Sequence, residues 1–227
     1  MRIGAPGKFG LVRGASRATP LVMTGWEIPW ARATVDANLA RMPRLFIVTG
    51  IPASGKSTVA KALMRLTERG VAVDGDTISA MVESGSVGMS PDAGEEALRQ
   101  LRLRYRASLA VADVYLRAGF DVAFSDNILG RPLAELPGIV PCERFHLVVL
   151  DPSPEAILRR DRGRGGRVYT EENGAFAWLR AVLETETPRI GLWLETTHQS
   201  PEETAATIMA RLDESAVPAD PAHRPGR

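Results

Sequence analysis

The run Gly50-Ile51-Pro52-Ala53-Ser54-Gly55-Lys56-Ser57 sets two glycines, a lysine and a hydroxyl at the spacing G-x-x-x-x-G-K-[ST]. Glycines at these points let the backbone curl until successive N–H groups point inward, the geometry that holds phosphate oxygens. A lysine after the second glycine reaches the β and γ phosphates of a nucleoside triphosphate, and the next hydroxyl coordinates Mg²⁺. Residues 50–57, with Thr58 beside them, are thus candidates for binding ATP. Lys56 would also act on the transferred phosphate, and Ser57 would be a metal ligand. Of 28 basic residues only Lys8, Lys56 and Lys61 are lysines. A planar, differently hydrated arginine would not replace an ammonium at this point.

Two carboxylates and an arginine run add chemistry to this cradle. Asp74-Gly75-Asp76-Thr77 closes a short apolar run. A strand end beside a phosphate loop faces the crevice where ligands bind, and a carboxylate there can take the proton of an attacking hydroxyl. Asp76 is the candidate base, and it could also cap a helix over 77–81. Asp126, in Ser125-Asp126-Asn127, could hold Mg²⁺ through water or accept the hydroxyl proton instead. Arg159, Arg160, Arg162, Arg164 and Arg167 crowd together with Gly163, Gly165 and Gly166. A glycine-hinged arginine cluster suits a lid that closes over the γ-phosphate. Arg164 and Arg167 are its catalytic candidates, and Arg160 is a nucleotide contact. Arg99, Arg102 and Arg106 share a helix face with Glu95 and Glu96 in pairing reach and read as a solvated face.

Alternating strands and helices must position these groups. Leu45–Val48 before Thr49-Gly50 predicts a buried parallel strand, and a helix follows over about 56–69. Strands are expected at 71–73, 121–124, 145–150 and 190–194. A long helix beginning near Ser90-Pro91 carries the stripe Leu98, Leu101, Tyr105, Leu109, Ala112 and Leu116. Ser153-Pro154-Glu155 caps another helix, Thr170 opens a third, and Ser200-Pro201-Glu202-Glu203 reads as a capping box. The alternation predicts an α/β fold with a five-stranded parallel sheet covered on both faces.

Composition bounds the function classes. The 227 residues are 44% apolar and 24% charged, enough for a full core and against wholesale disorder. No run of 18 apolar residues is present, so no membrane helix is expected. The single Cys142 excludes an internal disulfide and a multi-cysteine metal site, and suits a reducing cytoplasm. Residues 1–43 hold six cations against two carboxylates, a net +4, while the whole chain is +1, so residues 44–227 carry −3. An acidic body argues against general nucleic-acid binding. Residues 1–43 lack periodicity and read as a poorly ordered extension, Arg-rich and acid-poor as transit peptides are, with Met42 as an alternative start. Residues 44–213 form the expected domain, and 214–227 a flexible tail.

These motifs resemble those of small-molecule P-loop kinases, the broad group holding gluconate, shikimate and adenylylsulfate kinases. Asp74-Gly75-Asp76 resembles the Asp-Gly-Asp of the gluconate and adenylylsulfate enzymes. The closest likeness is to the chloramphenicol phosphotransferase-like family. It rests on the phosphate loop, Asp76-Thr77-Ile78, Asp126 through Gly130, Arg164-Gly165-Gly166-Arg167-Val168 and Glu195-Thr196-Thr197-His198. The resemblance implies a P-loop NTPase three-layer sandwich of the nucleoside- and shikimate-kinase kind, with an arginine lid. It implies Asp76 as base, Arg164 and Arg167 on the phosphates, and Thr197 and His198 near the adenine. Ser125 departs from the family, which has an aspartate there. The resulting expectation is an ATP- and Mg²⁺-dependent phosphotransferase acting on a hydroxyl of a small molecule such as an antibiotic, a sugar or a related metabolite. Its acceptor pocket would be built from about 77–110 and 127–140. A nucleoside or polynucleotide 5′-hydroxyl kinase, or an ATP-binding regulatory module with little turnover, are the alternatives.

Overall fold

The computed structural model describes residues 42–166, 168, 169 and 174–221, all within the unit that spans residues 35–227. The expectations for residues 1–41, Arg167, the helix start at Thr170 and residues 222–227 lie outside the described residues.

Five parallel strands follow the apolar runs: β1 (Leu45–Thr49), β2 (Gly70–Asp74), β3 (Asp121–Ser125), β4 (Arg144–Leu150) and β5 (Leu192–Leu194), in the order β2-β3-β1-β4-β5. The helices are α1 (Lys56–Arg65), α2 (Gly75–Ser79), α3 (Glu95–Arg117), α4 (Arg131–Glu135), α5 (Pro154–Gly163), α6 (Ala175–Ala181), α7 (Pro201–Ala210) and α8 (Leu212–Ser215). Successive side chains of a strand point to opposite faces. On β1, Leu45 and Ile47 therefore join Tyr105, Leu109 and Ala112 of α3. Phe46 and Val48 join Val59 and Leu63 of α1 and Ala205 and Ile208 of α7. The result is a three-layer α/β sandwich of the P-loop kind.

A sixth strand, β6 (Ala216–Pro218), adds an antiparallel member to the five parallel strands and lies within the segment read as a flexible tail. It pairs antiparallel with the start of β4, Phe145 opposite Val217. Short β5 covers only Val148–Leu150, so the other half of that β4 edge would stand unpaired without it. Three residues ending in proline carry no readable periodicity, which is why the strand is hidden in the sequence.

The long helix starts at Glu95, later than its Ser90-Pro91 signal, which forms a turn instead. Gln100 then clasps the segment between α2 and α3. Its Oε1 accepts from Val87 N–H at 2.9 Å, and its Nε2 donates to the Gly85 carbonyl at 2.9 Å. Arg99 pairs with Glu96 at 2.7 Å on the exposed face, as the spacing predicts. Strand order turns back on either side of β1, which opens a crevice beyond the strand ends there.

Candidate active site

The loop from β1 to α1 fills the head of this crevice. Gly50 has φ +144°, and a Cβ there would lie 2.5 Å from the Leu150 carbonyl. Gly55, at φ +104°, starts α1 with no side-chain cap and no acid in the first turn. Its first N–H groups are therefore open to an anion, with the positive end of the helix dipole behind them. The Ser54 hydroxyl is buried without a hydrogen-bond partner among the described residues. Lys56 folds over the loop and donates to the Ile51 carbonyl at 3.0 Å. Burial lowers its pKa to about 8, against the pull of Asp126, Asp76 and Asp74, with Arg164 adding to the fall. Phosphates beside it would restore the full ammonium charge.

A small cavity of about 230 Å³ gathers Lys56, Ser57, Asp74, Asp76, Asp126 and Arg164, groups that sequence places on four separate segments. The carboxylate of Asp74 caps α2 by accepting from the Asp76 N–H at 3.0 Å. The capping role considered for Asp76 thus belongs to Asp74, and Asp76 stands exposed in the cavity from the first turn of α2.

Asp126 has a partner that sequence reasoning missed. Its Oδ1 accepts from Arg104 Nη2 of α3 at 2.7 Å and from the Asn127 N–H at 2.7 Å. Its Oδ2 is buried without a partner among the described residues. Burial raises the Asp126 pKa to about 6, against the opposing pull of Arg104 and of the Asn127 N–H. Arg104 adjoins Tyr105 on the buried stripe of α3. That position, one step from a core aromatic, was the available signal. Reading Arg99, Arg102 and Arg106 as the arginine set of this helix passed over it.

The Ser57 hydroxyl and the carboxylates of Asp74, Asp76 and Asp126 form a set of hard oxygen donors at the cavity. The partnerless Oδ2 of Asp126 is an oxygen of the kind Mg²⁺ takes as a ligand. No cluster of three or more His, Cys, Asp or Glu among the described residues forms a metal cage. Mg²⁺ bound beside phosphates needs only one or two protein ligands, because phosphate and water supply the rest.

Arg160 braces the loop from outside the cavity. Its Nη1 donates to the Ser54 carbonyl at 3.1 Å and its Nη2 to the Thr196 carbonyl at 2.8 Å. Burial, and then the neighbouring Arg159 and Arg164 cations, hold its pKa below the usual arginine value, a field suited to an anion. Thr197 and His198 do not line the cavity. Thr197 Oγ1 accepts from the Ser153 N–H at 2.7 Å and donates to Glu195, which ties the ends of β4 and β5 together. His198 and Thr58 are exposed. Arg164, on the turn after α5, reaches the cavity, and Tyr169, another residue the sequence did not flag, reaches back to the loop. Tyr169 donates its hydroxyl to the Pro52 carbonyl at 2.8 Å and its N–H to Asp161 at 3.2 Å.

A second cavity, of about 1110 Å³, adjoins the first and shares Pro52, Asn127 and Val168 with it. Its walls come from residues 78–107 and 127–132, inside the segments expected to build an acceptor pocket. They also come from Trp178, Leu179 and Val182, which the sequence did not suggest.

Gly75 is where the two carboxylate segments touch. A Cβ there would stand 1.9 Å from Asp126 Oδ2 and 2.4 Å from its Cγ. Arg104 holds that carboxylate, so it cannot swing away freely. Gly75→Ala gains helix propensity of about 1 kcal/mol, yet it should lower both the melting temperature and the transfer rate, the latter by about tenfold or more. Thermal melts and initial rates that match the parent protein would show that Asp126 moves at no cost.

The sequence profile of the AAA domain matches residues 45–188. No curated protein matches significantly. Among solved structures, a sugar kinase from Janibacter sp. HTCC2649 is similar, at 23% identity over 81% of this chain and 99% of that one, with a TM-score of 0.51. An APS kinase from Mycobacterium tuberculosis, in complex with AMPPNP and APS, matches at 22% identity over 76% and 98%, with a TM-score of 0.52. A Deinococcus radiodurans tunicamycin resistance protein matches at 14% identity over 78% and 99%, with a TM-score of 0.54. At these identities the likeness establishes the shared fold.

Proposed function

The chain belongs to the AAA domain family, and on that premise we propose that it is an ATP- and Mg²⁺-dependent kinase acting on a hydroxyl of a small molecule. One observation carries the reading. A cavity holding Lys56, Ser57, Asp76, Asp126 and Arg164 lies beside a larger one and shares Pro52, Asn127 and Val168 with it. The smaller cavity suits a phosphate donor and the larger a separate acceptor, and Asn127, next to Asp126, lines both.

In this reading the uncapped start of α1 and the Gly50–Ser57 backbone hold the phosphates. Lys56 meets the β and γ phosphates, and Arg164 stabilises charge on the group in flight. Asp76 takes the proton of the acceptor hydroxyl as its oxygen bonds to the γ-phosphorus and the bond to the ADP oxygen breaks. Asp126 suits proton transfer less well, because Arg104 already occupies it. Mg²⁺, held on the Ser57 and Asp126 side, would neutralise phosphate charge. Arg160, Thr197 and His198 are assigned to the nucleotide outside the phosphate cradle, and Arg167 to the lid.

The partner is a small hydroxyl compound. No helix among the described residues is long and apolar enough to cross a membrane. With its single Cys142 half-buried and free, the protein is assigned to the cytoplasm. A mass-spectrometric screen of metabolites and antibiotics should find an acceptor that gains one phosphate only when ATP is present. Tight ATP binding with no transfer across the panel would instead favour a regulatory module.

A further inference from the structure

The phosphate loop contains a turn held in a conformation that its sequence disfavours. Residues 51–54 form a β-turn closed by the Ser54 N–H on the Ile51 carbonyl at 3.2 Å. Pro52 takes its second place and Ala53 its third. Ala53 has φ +61°, the only positive value among the described non-glycine residues. A positive φ at the third place marks a type II turn, where glycine or asparagine is usual. A Cβ makes that conformation unfavourable. Turning over the peptide that joins Pro52 to Ala53 would give a type I turn, which alanine adopts without strain.

The strained form sets the direction of one N–H. A trans peptide places its C=O and N–H on opposite sides. The Pro52 carbonyl accepts from the Tyr169 hydroxyl at 2.8 Å, and Tyr169 lines neither cavity. The Ala53 N–H, on the same peptide, therefore points away from Tyr169. Ala53 lines the smaller cavity, and its N–H has no hydrogen-bond partner among the described residues. Pro52 has no N–H to offer, and that of Ser54 closes the turn, so Ala53 supplies the free donor of this stretch.

Tyr169 is itself held. Its ring stands edge-on to Phe176, with centroids 5.2 Å apart, and its N–H donates to the buried Asp161 carboxylate at 3.2 Å. Burial, with the Asp161 charge adding, pushes its hydroxyl pKa above the ordinary tyrosine value, so the hydroxyl stays a donor at neutral pH.

Resting on the kinase reading above, we propose that Tyr169 is a positioning residue for the nucleotide, whose hydroxyl holds the peptide between Pro52 and Ala53 in the orientation that aims the Ala53 N–H at a phosphate oxygen. It acts through the loop and not on the substrate. Without the hydroxyl the peptide turns over, and phosphate meets a carbonyl where it needs a donor.

The test compares the full-length parent protein with Tyr169→Phe, Ala53→Gly and the double variant. Each is titrated calorimetrically with a non-hydrolysable ATP analogue plus Mg²⁺, and separately with inorganic tripolyphosphate. Tyr169→Phe keeps the ring against Phe176 and should weaken both ligands about three- to tenfold. Glycine adopts φ +61° freely, so Ala53→Gly should bind like the parent, and adding Tyr169→Phe to it should cost about twofold or less. A merely structural role would weaken binding equally in both backgrounds, and that result would overturn the proposal. So would Tyr169→Phe binding as tightly as the parent. Protein labelled isotopically at its alanine nitrogens reads the geometry without nucleotide. The Ala53 amide resonance, assigned by its absence in Ala53→Gly, should move downfield when tripolyphosphate is added to the parent, and should be displaced in Tyr169→Phe. An Ala53 amide that responds to neither would also overturn the proposal. Tripolyphosphate giving this whole pattern, with no binding of the ATP analogue, would leave the role of Tyr169 standing and sink the kinase.

Discussion

Arg104→Ala should destabilise the protein by about 3 kcal/mol or more, because it leaves the buried Asp126 carboxylate without its cation. In a domain of this size that corresponds to a fall of roughly 6–12 °C in melting temperature. The Asp126 side chain is fully buried and that of Arg104 is 19% exposed, so water cannot take the place of the guanidinium. The defect should also depend on pH. Burial already raises the Asp126 pKa to about 6, and removing Arg104 raises it further. A carboxyl with a raised folded-state pKa contributes stability below its unfolded value and loses it as pH rises through the folded one. Melts in chelated buffer should therefore show a smaller deficit at pH 5 than at pH 8. The Arg104→Ala/Asp126→Asn double variant should recover most of the loss, since no buried charge remains unpaired. A single variant that melts with the parent protein at pH 8 would mean that the pair is not formed.

Asp76→Asn should bind ATP about as well as the parent protein and transfer phosphate roughly 10²–10⁴-fold more slowly, the usual share of a positioned base. The amide keeps the size of the side chain and loses only its basicity. Phosphoryl transfer is largely dissociative, so little proton need leave early, and the lower end of that range is the better expectation. Lys56→Ala should fail differently. It removes a cation that meets the phosphates before and during transfer, so affinity and turnover should fall together. Calorimetry beside initial rates separates the two outcomes. Full activity in Asp76→Asn would move the base to Asp126 despite its bond to Arg104.

The phosphate loop was legible because its chemistry is written in consecutive residues. Gly50 through Ser57 form one local structure, and a strand and a helix flank it at readable periods. Asp76, Asp126 and Arg164 could each be placed at a strand end or a hinge, and those positions converge. The Arg104–Asp126 pair was not legible, because it joins residues 22 apart on two elements whose mutual rotation follows from packing. The same holds for Tyr169 on Pro52, at a separation of 117 residues. Strand β6 escaped because a strand of three residues has no period to detect. The part played by α6 in the larger cavity follows from how that helix docks, and Trp178 looks like an ordinary core aromatic in the sequence.

As a kinase, this protein moves the γ-phosphate of ATP to a hydroxyl. ATP carrying an isotopic label on the γ-phosphate oxygens tests it most directly, followed by mass spectrometry of both the acceptor and free phosphate. Labelled phosphate ester should appear on the acceptor in amounts equal to the ADP formed, and should be lost in Lys56→Ala. Label found only in inorganic phosphate, with every acceptor unmodified, would contradict it.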